Sequence, residues 1–216
     1  GAMLLALGQL SQETGELGKA KHYLEESLRM KRALHEDRDH PDVGATLHVL
    51  GQLSLQIGDL QKAKQYLEES LRTHRALHGD RDHHGVGVTL YALGQLSQKK
   101  GELEKAKRYF EESLRMWRAL YGDRDHRDVG AMLLALGQLS QETGELEKAK
   151  QYLEESLRMK RALHADRDHP DVCDAVLALM HLFTQTGDLE KARPYFEESL
   201  TWREPKELLE QYLEES

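Results

Sequence analysis

A chain of 216 residues with 39% hydrophobic and 6% aromatic residues has room for one ordinary domain or one short repeat array, with a core of aliphatic rather than aromatic side chains. Its formal net charge of -8 is spread over mixed acidic and basic residues, so no basic block exists to neutralise a row of phosphates, and nucleic acid is a poor candidate partner. The longest apolar runs, such as AMLLAL at 2–7, are far too short to cross a bilayer, and no signal-peptide pattern opens the chain. No membrane association is expected, and the single cysteine, Cys173, fits a reducing, cytoplasmic setting.

The first predicted element is a helix in which Leu4, Leu7, Gly8 and Leu10 form an apolar stripe spaced by three and four. Gly15 ends it by offering the left-handed conformation that stops a helix. A second helix carries Leu17, Ala20, Leu24, Leu28 and Leu34 on one face and should run about 19 residues, roughly 28 Å at the helical rise. It stops at DRDHPDV, residues 37–43, where Pro41 suits the first position of a new helix and Asp42 suits its positive N-terminus. The pattern then restarts.

LGQLS begins at Leu7, Leu50, Leu93 and Leu136, with a decayed copy, LMHLF, at Leu179; each step is 43 residues. YLEESL begins at Tyr23, Tyr66 and Tyr152, and YFEESL at Tyr109 and Tyr195, at the same step. Residues 1–17 are identical to 130–146, which points to recent duplication or to design. Gly58, Gly101, Gly144 and Gly187 repeat the stop at Gly15. A helical hairpin with one apolar stripe per helix cannot bury both stripes alone, whereas stacked hairpins can.

The expected fold is therefore all-α, a right-handed superhelical solenoid of stacked antiparallel helical hairpins. Its units are 1–42, 43–85, 86–128, 129–171 and 172–204, closed by a capping helix over 205–216, KELLEQYLEES after Pro205. The last unit departs most from the pattern, at Cys173, Met180, Phe183, Pro194 and Trp202. Pro194 should bend its helix, since it removes a backbone donor. The first unit matches an interior one, so its outer apolar stripe needs a cover. Either the chain is a piece of a longer array or copies associate by their ends.

This pattern resembles a tetratricopeptide repeat array. The family's large residue, Leu-Gly pair, alanine, large residue and small residue fall on Leu4, Leu7-Gly8, Ala20, Leu24 and Ser27, and in the third unit on Leu90, Leu93-Gly94, Ala106, Phe110 and Ser113. The extension through LRMKRALH to DHPDV is similar to the longer repeats of kinesin light chains and nephrocystin-like proteins, and comparable arrays end some signalling ATPases. The resemblance implies a protein-interaction scaffold. It departs from kinesin light chains where those carry an Asn-Asn pair that holds cargo; here stand Leu5-Ala6, His48-Val49, Tyr91-Ala92, Leu134-Ala135 and Leu177-Ala178, so that grip does not carry over.

Four groups of residues are of types that can do chemistry. Asp80, Asp82 and His83 in one DRDH corner are ligand types, but alternate turn residues rarely converge on an ion; the corner reads as a helix start, and neither metal nor cofactor is expected. Ser11, Ser54, Ser97 and Ser140 lie within helices without an exposing turn or a neighbouring base, so the chain is not read as an enzyme. The paired glutamates of LEES serve solvation and ion pairs one turn away, and Cys173 is a small helix residue.

What remains is the face of the first helices. Gln9, Gln52, Gln95, Gln138 and His181 form a ladder there, with Leu5, His48, Tyr91, Leu134 and Leu177 one turn earlier. Gln12, Leu55, Gln98, Gln141 and Thr184 follow one turn on. Amides donate and accept, and the leucines and Tyr91 supply apolar anchors, which suits an extended or helical peptide in a concave groove. Lys99 and Lys100 make the third unit's edge basic, suited to an acidic segment. The expected function is a scaffold that binds protein or peptide; the alternative is a structural module that self-associates end to end.

Overall fold

The computed structural model of the chain describes residues 2–79, 81–122, 124–164 and 169–202. The capping helix expected at 205–216 lies outside the described residues. Among them are ten α-helices and no strand: α1 (Ala2–Glu13), α2 (Leu17–Leu34), α3 (Pro41–Ile57), α4 (Leu60–His78), α5 (His84–Lys99), α6 (Leu103–Tyr121), α7 (Arg127–Glu142), α8 (Leu146–Leu163), α9 (Pro170–Gln185) and α10 (Leu189–Ser199). None is long and apolar enough to cross a membrane. Consecutive pairs form helical hairpins, turned at Gly15, Gly58, Gly101, Gly144 and Gly187, whose φ values of 71 to 86° lie where side chains with a Cβ are strained.

Glycine also sets how closely the two helices of a hairpin approach. A Cβ built on Gly94 would lie 2.3 Å from the Phe110 ring, and one on Gly51 2.5 Å from Leu67. Gly8 and Gly137 meet Leu24 and Leu153 in the same way. Below this contact the second helix carries Ala20, Ala63, Ala106 or Ala149, all fully buried. A turn further on, a buried serine hydroxyl donates to a first-helix carbonyl: Ser70 to Gly44 at 2.8 Å, Ser113 to Gly87 at 2.9 Å and Ser156 to Gly130 at 2.8 Å. Small residues thus bring the backbones together, and the hydroxyl ties them.

The helices gather into two compact units, 1–120 and 121–216. In the first, α2 packs on α3 and α4 on α5, so each hairpin lends its second helix to the next. One core cluster joins Ala20, Leu24 and Leu28 to Val43, Leu47, Leu50 and Leu53. Another joins Leu55, Leu67 and Leu71 to Val86, Leu90, Leu93 and Met116. In the second unit α8 packs on α9, and the core holds Leu153, Val172, Cys173, Val176, Leu179, Phe183 and Trp202. Cys173 is fully buried there.

Polar links between second helices follow the same period. Arg32 reaches Glu69 at 2.6 Å and Arg75 reaches Glu112 at 2.7 Å in the first unit, and Arg161 pairs with Glu198 in the second. LEES glutamates also pair along their own helix, Glu26 with Arg29 and Glu69 with Arg72. Such exposed pairs each contribute a fraction of a kcal/mol, ~0.2–1, so they fix register more than stability. Pro194 lies inside α10, the shortest helix among those described.

Candidate functional site

The corners between hairpins are built on histidine. His40, His83, His126 and His169 each sit in extended conformation at the N-cap of the following helix. Their Nδ1 atoms accept the backbone N–H of Asp42, Gly85, Asp128 and Asp171 at 3.1–3.2 Å. An accepting Nδ1 places the ring proton on Nε2. Each cap ring stacks on the ring five residues earlier, at centroid distances of 3.4–3.5 Å: His35, His78, Tyr121 or His164. Pro41 and Pro170 open their helices as expected, and Asp42 and Asp171 lie in the first turn, but the histidine makes the cap. Spacing alone could not reveal this, because Asp, Asn and Ser are the usual caps.

The candidate groove residues lie along the first helices, which touch within each unit as α1 with α3, α3 with α5 and α7 with α9. In the first unit Gln9, Gln52 and Lys99 are exposed, and Leu5, His48, Tyr91, Gln95 and Gln98 are half-buried. Leu5 leans on the α2–α3 core, Tyr91 meets the Phe110 ring at 5.7 Å, and Gln12 bridges to Gln56 at 2.9 Å. Lys100 pairs with Glu102 at 2.9 Å, whose carboxyl is held below its usual range by Lys100 and Lys105, leaving Lys99 as the basic group at that edge. In the second unit Gln138 is exposed, while Leu134 and His181 are half-buried. There the Gln141 amide joins His181 Nδ1 at 3.0 Å and Gln185 at 2.7 Å.

Two candidates are corrected. Leu55, 7% exposed, belongs to the α4–α5 core, and Leu177, 3% exposed, to the core of the second unit. Both side chains turn inward because apolar surface at those places is better covered by neighbouring helices than by water, so neither is an anchor for a partner.

His48 is the most perturbed of the candidates. Burial, followed by the nearby His74 and His84 rings, pushes its pKa down to about 4. Its Nδ1 is buried and makes no hydrogen bond among the described residues. His74, on the inner side of α4 and 4% exposed, is likewise pushed down to about 4 by burial and by His83, His78 and His84. His74 and His78 were not singled out from the sequence. The signal was present in HRALH at 74–78, which the other units replace with KRALH or WRALY.

The family model of the MalT-like TPR region matches residues 32–212, and a tetratricopeptide repeat model matches residues 2–42. The chain belongs to the tetratricopeptide repeat family. Its fold is similar to that of a putative kinesin light chain of Podosopora anserina with nearly identical TPR-like repeats, at 20% identity and a TM-score of 0.73, over 91% of this chain and 92% of that one. BtubC (BKLC) from P. vanneervenii matches at 22% identity and TM-score 0.77, over 96% of this chain and 79% of its own. A Rap protein complexed with competence and sporulation factor matches at 13% identity and TM-score 0.76, over 97% of this chain and 56% of that one. At such identities the likeness shows the fold alone. None of the curated proteins compared matches the chain. Tetratricopeptide repeat arrays of this kind are in general protein-interaction scaffolds rather than enzymes.

Proposed function

We propose that this tetratricopeptide repeat chain is a non-enzymatic cytoplasmic scaffold that holds a peptide segment of a protein partner along the first-helix flank of residues 1–120. The supporting observation is the contrast between frame and flank. Gly8, Gly51 and Gly94 with their partners hold the frame constant, while one half-buried position on the flank changes from Leu5 to His48 to Tyr91. Gln9, Gln52 and Gln95 offer amides beside it, able to donate to and accept from a peptide backbone. Lys99 adds one positive charge at the edge. A neighbour of similar fold, a Rap protein, is complexed with competence and sporulation factor, which supports a reading in which such arrays hold a ligand.

The test is a pull-down from the native source with the intact chain beside a His48→Ala/Tyr91→Ala variant whose fold is verified by circular dichroism. Partners that bind the flank should be lost from the variant. Retention of every partner overturns the assignment.

A second reading is supported by exposed apolar side chains on the first hairpin. Leu7 and Leu10 are 37% and 56% exposed, whereas their counterparts Leu50 and Leu53 are each 1% exposed under α1 and α2. A second copy packed on this face would supply the cover. Mass measured against concentration tests it, and a strictly monomeric chain over a wide range removes it.

A further inference from the structure

We propose that His74, His78 and His83 form a binding site for a divalent first-row transition-metal ion of the zinc or nickel class, a clip between α4 and α5. His74 and His78 are four residues apart on α4, the spacing that puts two imidazoles on one helix face. His83 enters from the N-cap of α5. One ring nitrogen from each of the three lies within 4.8 Å of the other two. Tetrahedral coordination at about 2.0–2.1 Å per bond sets ligand atoms about 3.4 Å apart, so these atoms need to close by up to about 1.5 Å, within reach of side-chain rotation.

Two of the nitrogens at this corner are otherwise unused. His74 Nδ1 and His78 Nε2 are buried and make no hydrogen bond among the described residues, a state that buried polar atoms rarely keep without a reason. Imidazole nitrogen is a preferred ligand of borderline ions. Three protein ligands leave a fourth position for water or for a side chain from elsewhere.

The surroundings are shaped for the His74 ring. A Cβ on Gly85 would lie 2.5 Å from its Cε1, and one on Gly44 2.8 Å from its Nε2. Gly85 stands where the other three corners have Asp42, Asp128 and Asp171. Those corners also lack the third imidazole, carrying Lys31, Trp117 and Lys160 in the place of His74. His35, His40 and Asp42 are as close together as the three histidines, and so are His164, His169 and Asp171. In the first corner, however, the Lys31 ammonium lies 3.4 Å from the Asp42 carbonyl, and Lys160 raises a positive charge beside Asp171. A fixed cation repels a second one, so the second corner is the one suited to a metal.

Coordination exchanges one role of His83 for another. Its Nδ1 accepts the Gly85 N–H, and its ring lies flat on His78 at 3.5 Å with an interplanar angle of 12°. Lone pairs of parallel rings do not converge. Binding therefore tilts His83 out of the stack and gives up the cap bond, one hydrogen bond against three metal–nitrogen bonds.

The experiment titrates Zn²⁺, and separately Ni²⁺, into the tag-free chain by calorimetry, with Co²⁺ absorption reporting the coordination number. Variants borrow the chain's own solutions so that each corner still folds: His78→Tyr keeps a stack like that of Tyr121 on His126, His74→Lys copies Lys31, and His83→Asn retains a good N-cap. One ion per chain is expected, with at least tenfold weaker binding in each variant and no change in His164→Tyr at the fourth corner. The thermal midpoint of the wild type should rise with Zn²⁺. If the wild type binds no ion, or if the three variants bind as well as it does, the site is refuted.

Discussion

Aspartate restored at the second corner should be tolerated only when His74 is gone. A Cβ at position 85 would stand 2.5 Å from His74 Cε1 and 2.7 Å from Nδ1, about 1 Å inside ordinary contact. The ring cannot retreat, because Gly44 closes its other side and only 4% of the residue reaches solvent. Overpacking of this size costs about 1–3 kcal/mol. Against it, an acidic residue in the first turn gains about 0.3–1 kcal/mol from the helix dipole. Gly85→Asp alone should therefore destabilise the chain by about 1–2 kcal/mol. In a His74→Lys background the clash disappears, and the pair reproduces Lys31 with Asp42. The same substitution should then be neutral or stabilising by up to about 1 kcal/mol, a coupling of about 2 kcal/mol in a double-mutant cycle. Urea unfolding followed by circular dichroism, with a chelator present, measures all four proteins. Equal effects of Gly85→Asp in both backgrounds would show that His74 does not fill the space above Gly85.

Three further outcomes follow from single residues. Ser113→Ala should cost about 1–2 kcal/mol in urea, because it removes a buried donor from the Gly87 carbonyl; a loss under about 0.3 kcal/mol counts against the serine tie. Glu36 holds a φ of 53°, where Gly79 and Gly122 stand in the second and third units, so Glu36→Gly should raise the unfolding midpoint, by about 0.5–1 kcal/mol in free energy, and a lowered midpoint contradicts it. His48, with a folded pKa of about 4 against about 6.5 unfolded, is neutral in both states above pH 6.5. Between pH 6.5 and 4 the unfolded chain takes up a proton that the folded chain refuses, so stability falls with pH, by up to about 2 kcal/mol at pH 5. His48→Leu, which copies Leu5, should flatten that part of the stability profile, and an unchanged slope contradicts the assignment.

The hairpins were legible because their causes are local and repeated. A stripe spaced by three and four and a turn glycine say the same thing in five units and a Leu-Gly pair in four of them, and agreement between levels is what specifies a fold. The face of the first helices was less legible. Position 55 carries Leu where Gln12, Gln98 and Gln141 stand, and periodicity alone placed it with the amides, yet its side chain turns toward Leu67 and Leu90 in the core. Leu177 repeats the type of Leu134 but joins the cluster with Phe183 and Trp202. Burial at the edge of a helix face depends on the size of neighbours brought in by other helices, which spacing along one helix does not encode. The histidine caps were hidden for a related reason: each depends on a ring five residues earlier and on a backbone N–H two residues later, a relation visible only once the corner is folded.

The second corner shows how one repeat can depart from its siblings without losing the fold. In the first corner the Lys31 ammonium donates to Thr46 Oγ1 at 2.8 Å, while Thr46 donates to the Asp42 carbonyl. With His74 in place of the lysine, Thr89 keeps its bond to the Gly85 carbonyl at 2.7 Å and lies 3.2 Å from the Ser70 hydroxyl. The threonine is satisfied without the residue at position 74. Two changes then fit together sterically: the ring needs the space that an aspartate would fill, and glycine at 85 supplies it. Glycine near a helix start is a loss by propensity, and a neutral ring replaces a cation that had a partner. Neither change gains the fold anything alone. Together with His78 and His83 they assemble three imidazoles at one of the four corners, and a local cost matched to a cluster of ligand atoms is the pattern expected where a repeat has acquired a site.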